Sequence, residues 1–315
     1  MPSNPLVIAP QGGATFLNAP LVLDLDTLDA DYAVLGIPFG VPYGMRGVAP
    51  DAADAPAAVR ARSVRFGRFL HHYDFDFDGP LLDGRDVRIV DCGDVFADPL
   101  DVTGNSARAT AAVAKILAAG CLPIILGGDD SVPIPFLRAY AGQGDITVIQ
   151  IDAHLDFRDE IDGVTEGFSS PMRRASEMEW VRGIIQVGMR GVGTARPSDV
   201  DDARAAGNVI VPMADLQRAG VDALGALLPE GGRFVVTIDL DGLDPSVAPA
   251  VGAPMPGGLR FEDACRIIQL AAQRGTIAGF DVVEMAPSLD STGLTGVTAV
   301  RLIEHAIAAH VRHSR

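Results

Sequence analysis

The sequence predicts an α/β fold whose strands run parallel and are covered by helices on both faces. Three observations carry this reading. Apolar, β-branched runs recur along the chain, and most are nearly continuous rather than alternating, the pattern of strands buried on both sides. Ala-rich segments with helical spacing lie between these runs, which implies right-handed crossovers joining parallel strands. No repeat, low-complexity tract or Pro/Gly/Ser-rich linker divides the 315 residues, so a single domain over residues 1–315 is expected.

In chain order, the first strand is expected over residues 32–39 (YAVLGIPF), followed by a helix over 54–62. A second strand at 87–95 (VRIVDCGDV) leads into the Ala-rich helix 106–119, and a third at 122–128 (LPIILGG) leads into helix 132–141. The apolar run 146–154 makes the fourth strand and 184–190 the fifth, with helix 198–206 after it. Strand 209–213, a helical stretch at 222–228, strand 234–241, helix 261–274 and strand 277–284 continue the alternation, and helix 298–311 closes it. Two segments interrupt this order. Residues 40–51 (GVPYGMRGVAPD) and 242–259 (GLDPSVAPAVGAPMPGGL) are dense in Gly and Pro, and long loops that follow strands in such sheets form the rim of the active site.

Composition narrows the function. Lys+Arg number 25 against 41 Asp+Glu, a formal net charge of −16, with Lys115 the single lysine. Phosphate binding needs a basic surface, so a nucleic-acid partner is not expected. No apolar run approaches the roughly 18–20 residues of a membrane span, and the first residues lack the basic and apolar regions of a secretory leader. Cys92, Cys121 and Cys265 stand far apart in apolar settings and read as buried thiols of a reducing, cytoplasmic compartment.

The strongest signal is what ends the strands. The buried run ITVIQI meets Asp152, His154 and Asp156, whose two-residue spacing in an extended chain directs all three to one face. VVTID-L-D repeats the pattern with Asp239 and Asp241, and LPIIL opens into GGDDS with Asp129 and Asp130. Carboxylates this crowded cannot all stay ionised without a cation. An oxygen-rich set with one imidazole suits hard or borderline divalent ions such as Mn²⁺, and two ions sharing carboxylates would generate a hydroxide nucleophile at neutral pH. A lone strand-end aspartate such as Asp129 or Asp94 reads instead as a turn former or helix cap.

These residues resemble the ureohydrolase family of arginases, agmatinases and related guanidino hydrolases. The matching stretches are LGIPF at 35–39, DCGDV at 91–95, GGDDS, DAHLD, TIDLDGLDP and DVVEMAP at 281–287, in family order over almost the whole chain. The resemblance implies a three-layer α/β/α, arginase-like fold around an eight-stranded parallel sheet. It implies two Mn²⁺ ions per subunit and a homo-oligomer, trimer or hexamer. Carried over by position, Asp152 and Asp239 bridge the metals, Asp130 and Asp156 complete one, and His154 and Asp241 complete the other. The implied reaction is hydroxide attack on a guanidinium carbon, releasing urea and an amine. Glu284 would hold the guanidinium by a two-point charged pair, and Asp156 would pass the proton to the leaving amine.

The chain departs from the family pattern twice. Asp130 stands where GGDHS usually has histidine, adding one negative charge to the cluster; this should raise the pKa of the bridging water, or tune the choice of metal towards Ni²⁺ or Fe²⁺. Phe168 stands where many agmatinases carry a shuttle histidine; either Glu166 or Ser169 is expected to substitute for the lost base, or the aromatic instead lines the pocket against an apolar or alkylated guanidine. Arg46, in the first Gly-rich loop, resembles a rim position, expected either to meet a substrate carboxylate or to pack the loop. The leading reading is an agmatinase-type hydrolase of a small guanidino substrate. Its alternatives are the same fold acting on another linear C–N substrate (a guanidino acid, biguanide or formimino compound), or a degenerate subunit partnering an active paralogue.

Overall fold

The structure is a computed structural model that describes residues 5–41, 43, 51–193 and 195–314. Its central sheet has strands β1 (Val7–Ile8), β2 (Tyr32–Gly36), β5 (Ile89–Val95), β6 (Leu122–Leu126), β7 (Ile146–Ile151), β8 (Val181–Val187), β9 (Val209–Val211), β10 (Gly232–Asp239) and β11 (Gly275–Val283). Two further strands, β3 (Tyr73–Asp74) and β4 (Gly79–Pro80), form a separate small hairpin. The sheet order is β1-β5-β2-β6-β11-β10-β7-β8-β9, and every pairing is parallel except that of β1 with β5.

Eight strands are those expected from the apolar runs. The ninth, β1, corrects the eight-stranded expectation: two residues are too short to leave a period, and the strand forms only because Val7 and Ile8 pair against Val95 and Asp94 at the sheet edge. The helices are α1 (Ala55–Ser63), α2 (Val102–Ala118), α3 (Pro133–Arg138), α4 (Pro171–Ser176), α5 (Pro197–Ala205), α6 (Met213–Ala219), α7 (Phe261–Arg274) and α8 (Leu294–His313). Helices α4 and α6 are too short to carry a periodic signal, and the stretch expected to be helical at 222–228 is instead a 3₁₀ turn, Val221–Ala226.

Helices α1, α6, α7 and α8 bury their apolar side chains on one face of the sheet, and α2, α3, α4 and α5 on the other. Double coverage explains why β2, β5 and β7 are buried at every position. One interior ion pair ties the edge together: Arg60 of α1, fully buried, reaches Asp91 at 2.8 Å and Asp94 of β5. Asp94 is thus an ion-pair partner rather than a helix cap.

Asp281, mid-strand in β11, is fully buried, and no partner meets hydrogen-bond geometry at either of its oxygens or at the neighbouring Thr237 Oγ1. Burial pushes its carboxyl up to about 7. The unfolded chain releases this proton near the ordinary carboxylate range while the folded chain keeps it, so this group's contribution to stability is fully present at low pH and is lost as pH rises through about 7. Asp281→Asn should remove that fall, worth about 1.4 kcal/mol per pH unit across the window. Melting temperatures of parent and variant from pH 4.5 to 7.5 should diverge in the variant's favour; parallel curves would show that Asp281 is not protonated in the fold.

Candidate metal centre

Strands β6, β11, β10 and β7 are parallel and adjacent, so their C-terminal ends open at the same edge of the sheet. Asp130 lies just past β6, Glu284 directly follows β11, Asp239 ends β10, and Asp152 directly follows β7. Segments far apart in sequence therefore deliver their acidic residues to one spot.

The side chains converge by a different route from the two-residue alternation expected for extended strands. Strand β7 stops at Ile151, and Asp152, His154 and Asp156 lie on the loop beyond it. Asp156 has φ +46°, left-handed for a residue with a Cβ, and Glu284 has φ +64°. Such backbone costs on the order of 1–3 kcal/mol and persists only where surrounding contacts hold it. Past β10 the chain folds into the 3₁₀ turn Leu240–Gly242, in which the Asp241 amide donates to Asp239 Oδ1 at 2.8 Å. This turn packs directly on the β7 loop: a Cβ at Gly242 would lie 2.6 Å from the Asp152 nitrogen, and only glycine permits that approach. The Ala153 amide donates to Asp241 Oδ1 at 3.2 Å, so the β7 loop holds a carboxylate of the turn.

Two sets of ligand atoms result, each lying within 4.8 Å of one another: Asp152, His154, Asp239 and Asp241 in one, Asp130, Asp152 and Asp156 in the other. Asp152 belongs to both. His154 Nδ1 stands 3.0 Å from Asp241 Oδ2 and 3.4 Å from Asp152 Oδ1. Burial, followed by the charges of neighbouring acids, drives Asp130, Asp156 and Asp239 well above the ordinary carboxylate range. For His154, burial favours the neutral ring, but its bonds to Asp152 and Asp241 win and raise it far above its usual value. Asp130 Oδ2 is buried without a hydrogen-bond partner. An orphaned carboxylate oxygen aimed into a cluster of acids and one imidazole fits a pair of hard or borderline divalent cations.

Asp130, His154, Asp156, Asp239 and Asp241 line a cavity of about 770 Å³. Glu284 lines it, its Oε1 accepting the Asp130 amide at 2.8 Å, and burial together with the charge of Asp129 pushes its carboxyl up to about 8. Phe168 also lines it, packed on Tyr43 with ring centroids 4.6 Å apart. Of the substitutes for the missing histidine, Ser169 faces the cavity, whereas Glu166 is held by Arg138 at 2.8 Å. Arg46 lies outside the described residues. Among the described residues, Arg158 is the guanidinium on the wall, and it stands 3.2 Å from Asp199. Asp129 plays the local role expected of it, accepting from the Ser131 amide at 2.9 Å and the Ser131 hydroxyl at 2.5 Å.

Two features escaped the sequence reading. Arg190 reaches from beyond β8 to the carbonyls of Asp241 (2.7 Å), Leu243 (3.1 Å) and Met255 (2.6 Å), gathering the Pro/Gly-rich loop against the ligand turn. Gln150 and Gln186 are buried beneath the cluster. The available signals were a charged residue just past a strand and a polar residue inside the apolar run ITVIQI.

Comparison with known proteins adds an independent line. The arginase family model matches residues 30–309. The chain is 28% identical over 313 residues to the human mitochondrial guanidino acid hydrolase, covering 98% of this chain and 86% of that protein. It is 30% identical to the mitochondrial agmatinase of Gallus gallus, covering 96% and 87%. The solved structure of proclavaminate amidino hydrolase from Streptomyces clavuligerus superposes with a TM-score of 0.82 at 26% identity, covering 95% of this chain and 97% of that one.

Proposed function

Since the chain belongs to the arginase family, we propose that it is a metal-dependent hydrolase of guanidino C–N bonds, of agmatinase type, releasing urea and an amine. The carrying observation is the clustered set Asp130, Asp152, His154, Asp156, Asp239 and Asp241, of which all but Asp152 line a cavity that Glu284 also lines. We assign these six residues as ligands of two divalent ions, with Mn²⁺ preferred. When bound, such ions polarise the substrate and lower the pKa of water, so that an oxygen nucleophile is available at neutral pH.

The chain's own residues do the rest. Glu284 receives two N–H groups of the planar guanidinium; the Asp130 amide fixes one of its oxygens, so the acceptor plane is set before substrate enters. Asp156 accepts the proton released when the C–O bond forms and delivers it to the departing nitrogen as the C–N bond breaks. Phe168 and Tyr43 form an apolar wall for the substrate's tail and exclude water from the reacting carbon. The three described cysteines are buried and unpaired, which supports a reducing, cytoplasmic setting. By resemblance to its family the chain acts as a homo-oligomer.

The test is metal analysis of purified protein combined with a urea-release screen over guanidines differing at the tail: cationic, carboxylate and alkyl. Two equivalents of metal with urea from at least one guanidine are expected. Protein that binds metal yet releases urea from none would overturn the reaction class.

Asp130 is the position where the chain leaves the family pattern. Asp130→Ala should bind one equivalent of metal instead of two, because the site shared with Asp156 loses a ligand. Asp130→His should keep two, since imidazole is as competent a donor. Plasma emission spectrometry on both variants decides the matter, and two equivalents in Asp130→Ala would exclude it as a ligand.

A further inference from the structure

Beneath the acidic cluster, three buried amides form one continuous chain. Gln150 sits on β7, two residues before Asp152 on the loop beyond it, and its side chain reaches the Asp152 carboxylate. It is in register with Gln186 on β8. Gln150, Gln186 and Asn208 are 1%, 0% and 8% exposed. Asn208 Nδ2 donates to Gln186 Oε1 at 2.8 Å, Gln186 Nε2 donates to Gln150 Oε1 at 2.7 Å, and Gln150 Nε2 donates to Asp152 Oδ2 at 2.6 Å and Asp156 Oδ2 at 3.3 Å.

The direction of this chain is forced. A carboxylate only accepts, so Gln150 must turn its NH₂ toward Asp152 and Asp156. Its oxygen then needs a donor, which must be the NH₂ of Gln186, and the oxygen of Gln186 in turn needs the NH₂ of Asn208. All three amide dipoles therefore point their positive ends at the acidic cluster. The second hydrogen of Gln186 goes to the Leu155 carbonyl at 2.7 Å. Leu155 lies between His154 and Asp156, where the backbone turns left-handed. The Asp156 carbonyl is held on its other side by the Met172 amide at 3.1 Å.

We infer that Asn208, Gln186 and Gln150 are positioning residues that set the rotamer of Asp152 and the strained backbone of Asp156, and thereby the affinity of the metal centre. The inference rests on the proposed metal centre but assigns it three residues that touch neither metal nor substrate. Without the chain, Asp152 can rotate away from its shared position, and the Leu155–Asp156 backbone loses the donor that offsets its strain. Outer partners of this kind typically contribute 10–100-fold to metal affinity.

The test equilibrates loaded full-length protein with Mn²⁺ alone against a competing chelator of known affinity. Gln150→Leu and Gln186→Leu should each weaken Mn²⁺ binding by about 10–100-fold. Asn208→Ala, at the outer end, should weaken it less, in the same direction. Melting temperature in excess chelator is the control, because a residue that only packs lowers that temperature and leaves the affinity alone. Parent-like affinity in folded Gln150→Leu and Gln186→Leu overturns the inference. If neither variant folds, Asn208→Ala decides, with parent-like affinity again overturning it. Absence of Mn²⁺ binding by the parent protein would instead sink the metal centre itself, so the two failures are distinguishable.

Discussion

Asp239→Ala is expected to produce a folded protein without stoichiometric metal, its kcat/KM reduced by at least about a thousandfold, or ~4 kcal/mol of transition-state stabilisation. Asp239 ends β10 and groups with Asp152, His154 and Asp241 in one ligand set; on the bridging role that the family resemblance implies for it, its loss should remove a ligand from each ion. The fold should survive, because the sheet is held by apolar burial on both faces and not by the cluster. In excess chelator the variant should melt no lower than the parent: burial and the charges of Asp241 and Asp152 hold Asp239 far from its ordinary ionisation, so the metal-free fold is relieved by losing it. Circular dichroism, metal analysis and urea release on one preparation check all three points. Two retained equivalents of metal with near-normal turnover would exclude Asp239 as a ligand.

Glu284→Gln is expected to keep both ions yet lose about 2 kcal/mol of transition-state stabilisation, roughly 30-fold in kcat/KM, the cost of removing one charge from a desolvated pair. Glutamine preserves the shape and can still accept the Asp130 amide through its oxygen. What it cannot do is present two acceptors to a guanidinium. A metal-free Glu284→Gln protein would instead make Glu284 a ligand or a structural support of the ligands.

The sheet was legible because burial on both faces writes itself as continuous apolar runs, and strands such as ITVIQI admit little else. The acids were legible by type and by their place after strands, but not by geometry. Asp152, His154 and Asp156 were expected to share a face through strand alternation, whereas they meet through a loop with a left-handed residue at Asp156. Asp239 and Asp241 meet through a 3₁₀ turn that Gly242 permits. Such conformations are stabilised by contacts from other segments, including Arg190 and Gln186, whose partners lie tens of residues away. A local pattern cannot contain them. The edge strand β1 and the short helices α4 and α6 were missed for the related reason that too few residues carry each one.

The place of β11 between β6 and β10 has a consequence for biosynthesis. Without β11, the order of the sheet leaves two halves, β1-β5-β2-β6 and β10-β7-β8-β9, each with one unsealed inner edge. Asp130 belongs to the first half and Asp152 and Asp239 to the second, while Glu284 follows the strand that joins them. Domains emerge amino terminus first and unpaired edges invite misassembly, so a growing chain carries both open edges until the segment Gly275–Val283 has been made. On the proposed metal centre, capture of metal would follow completion of the sheet, and a chain halted before residue 275 would lack the strand that brings Asp130 beside Asp152 and Asp239.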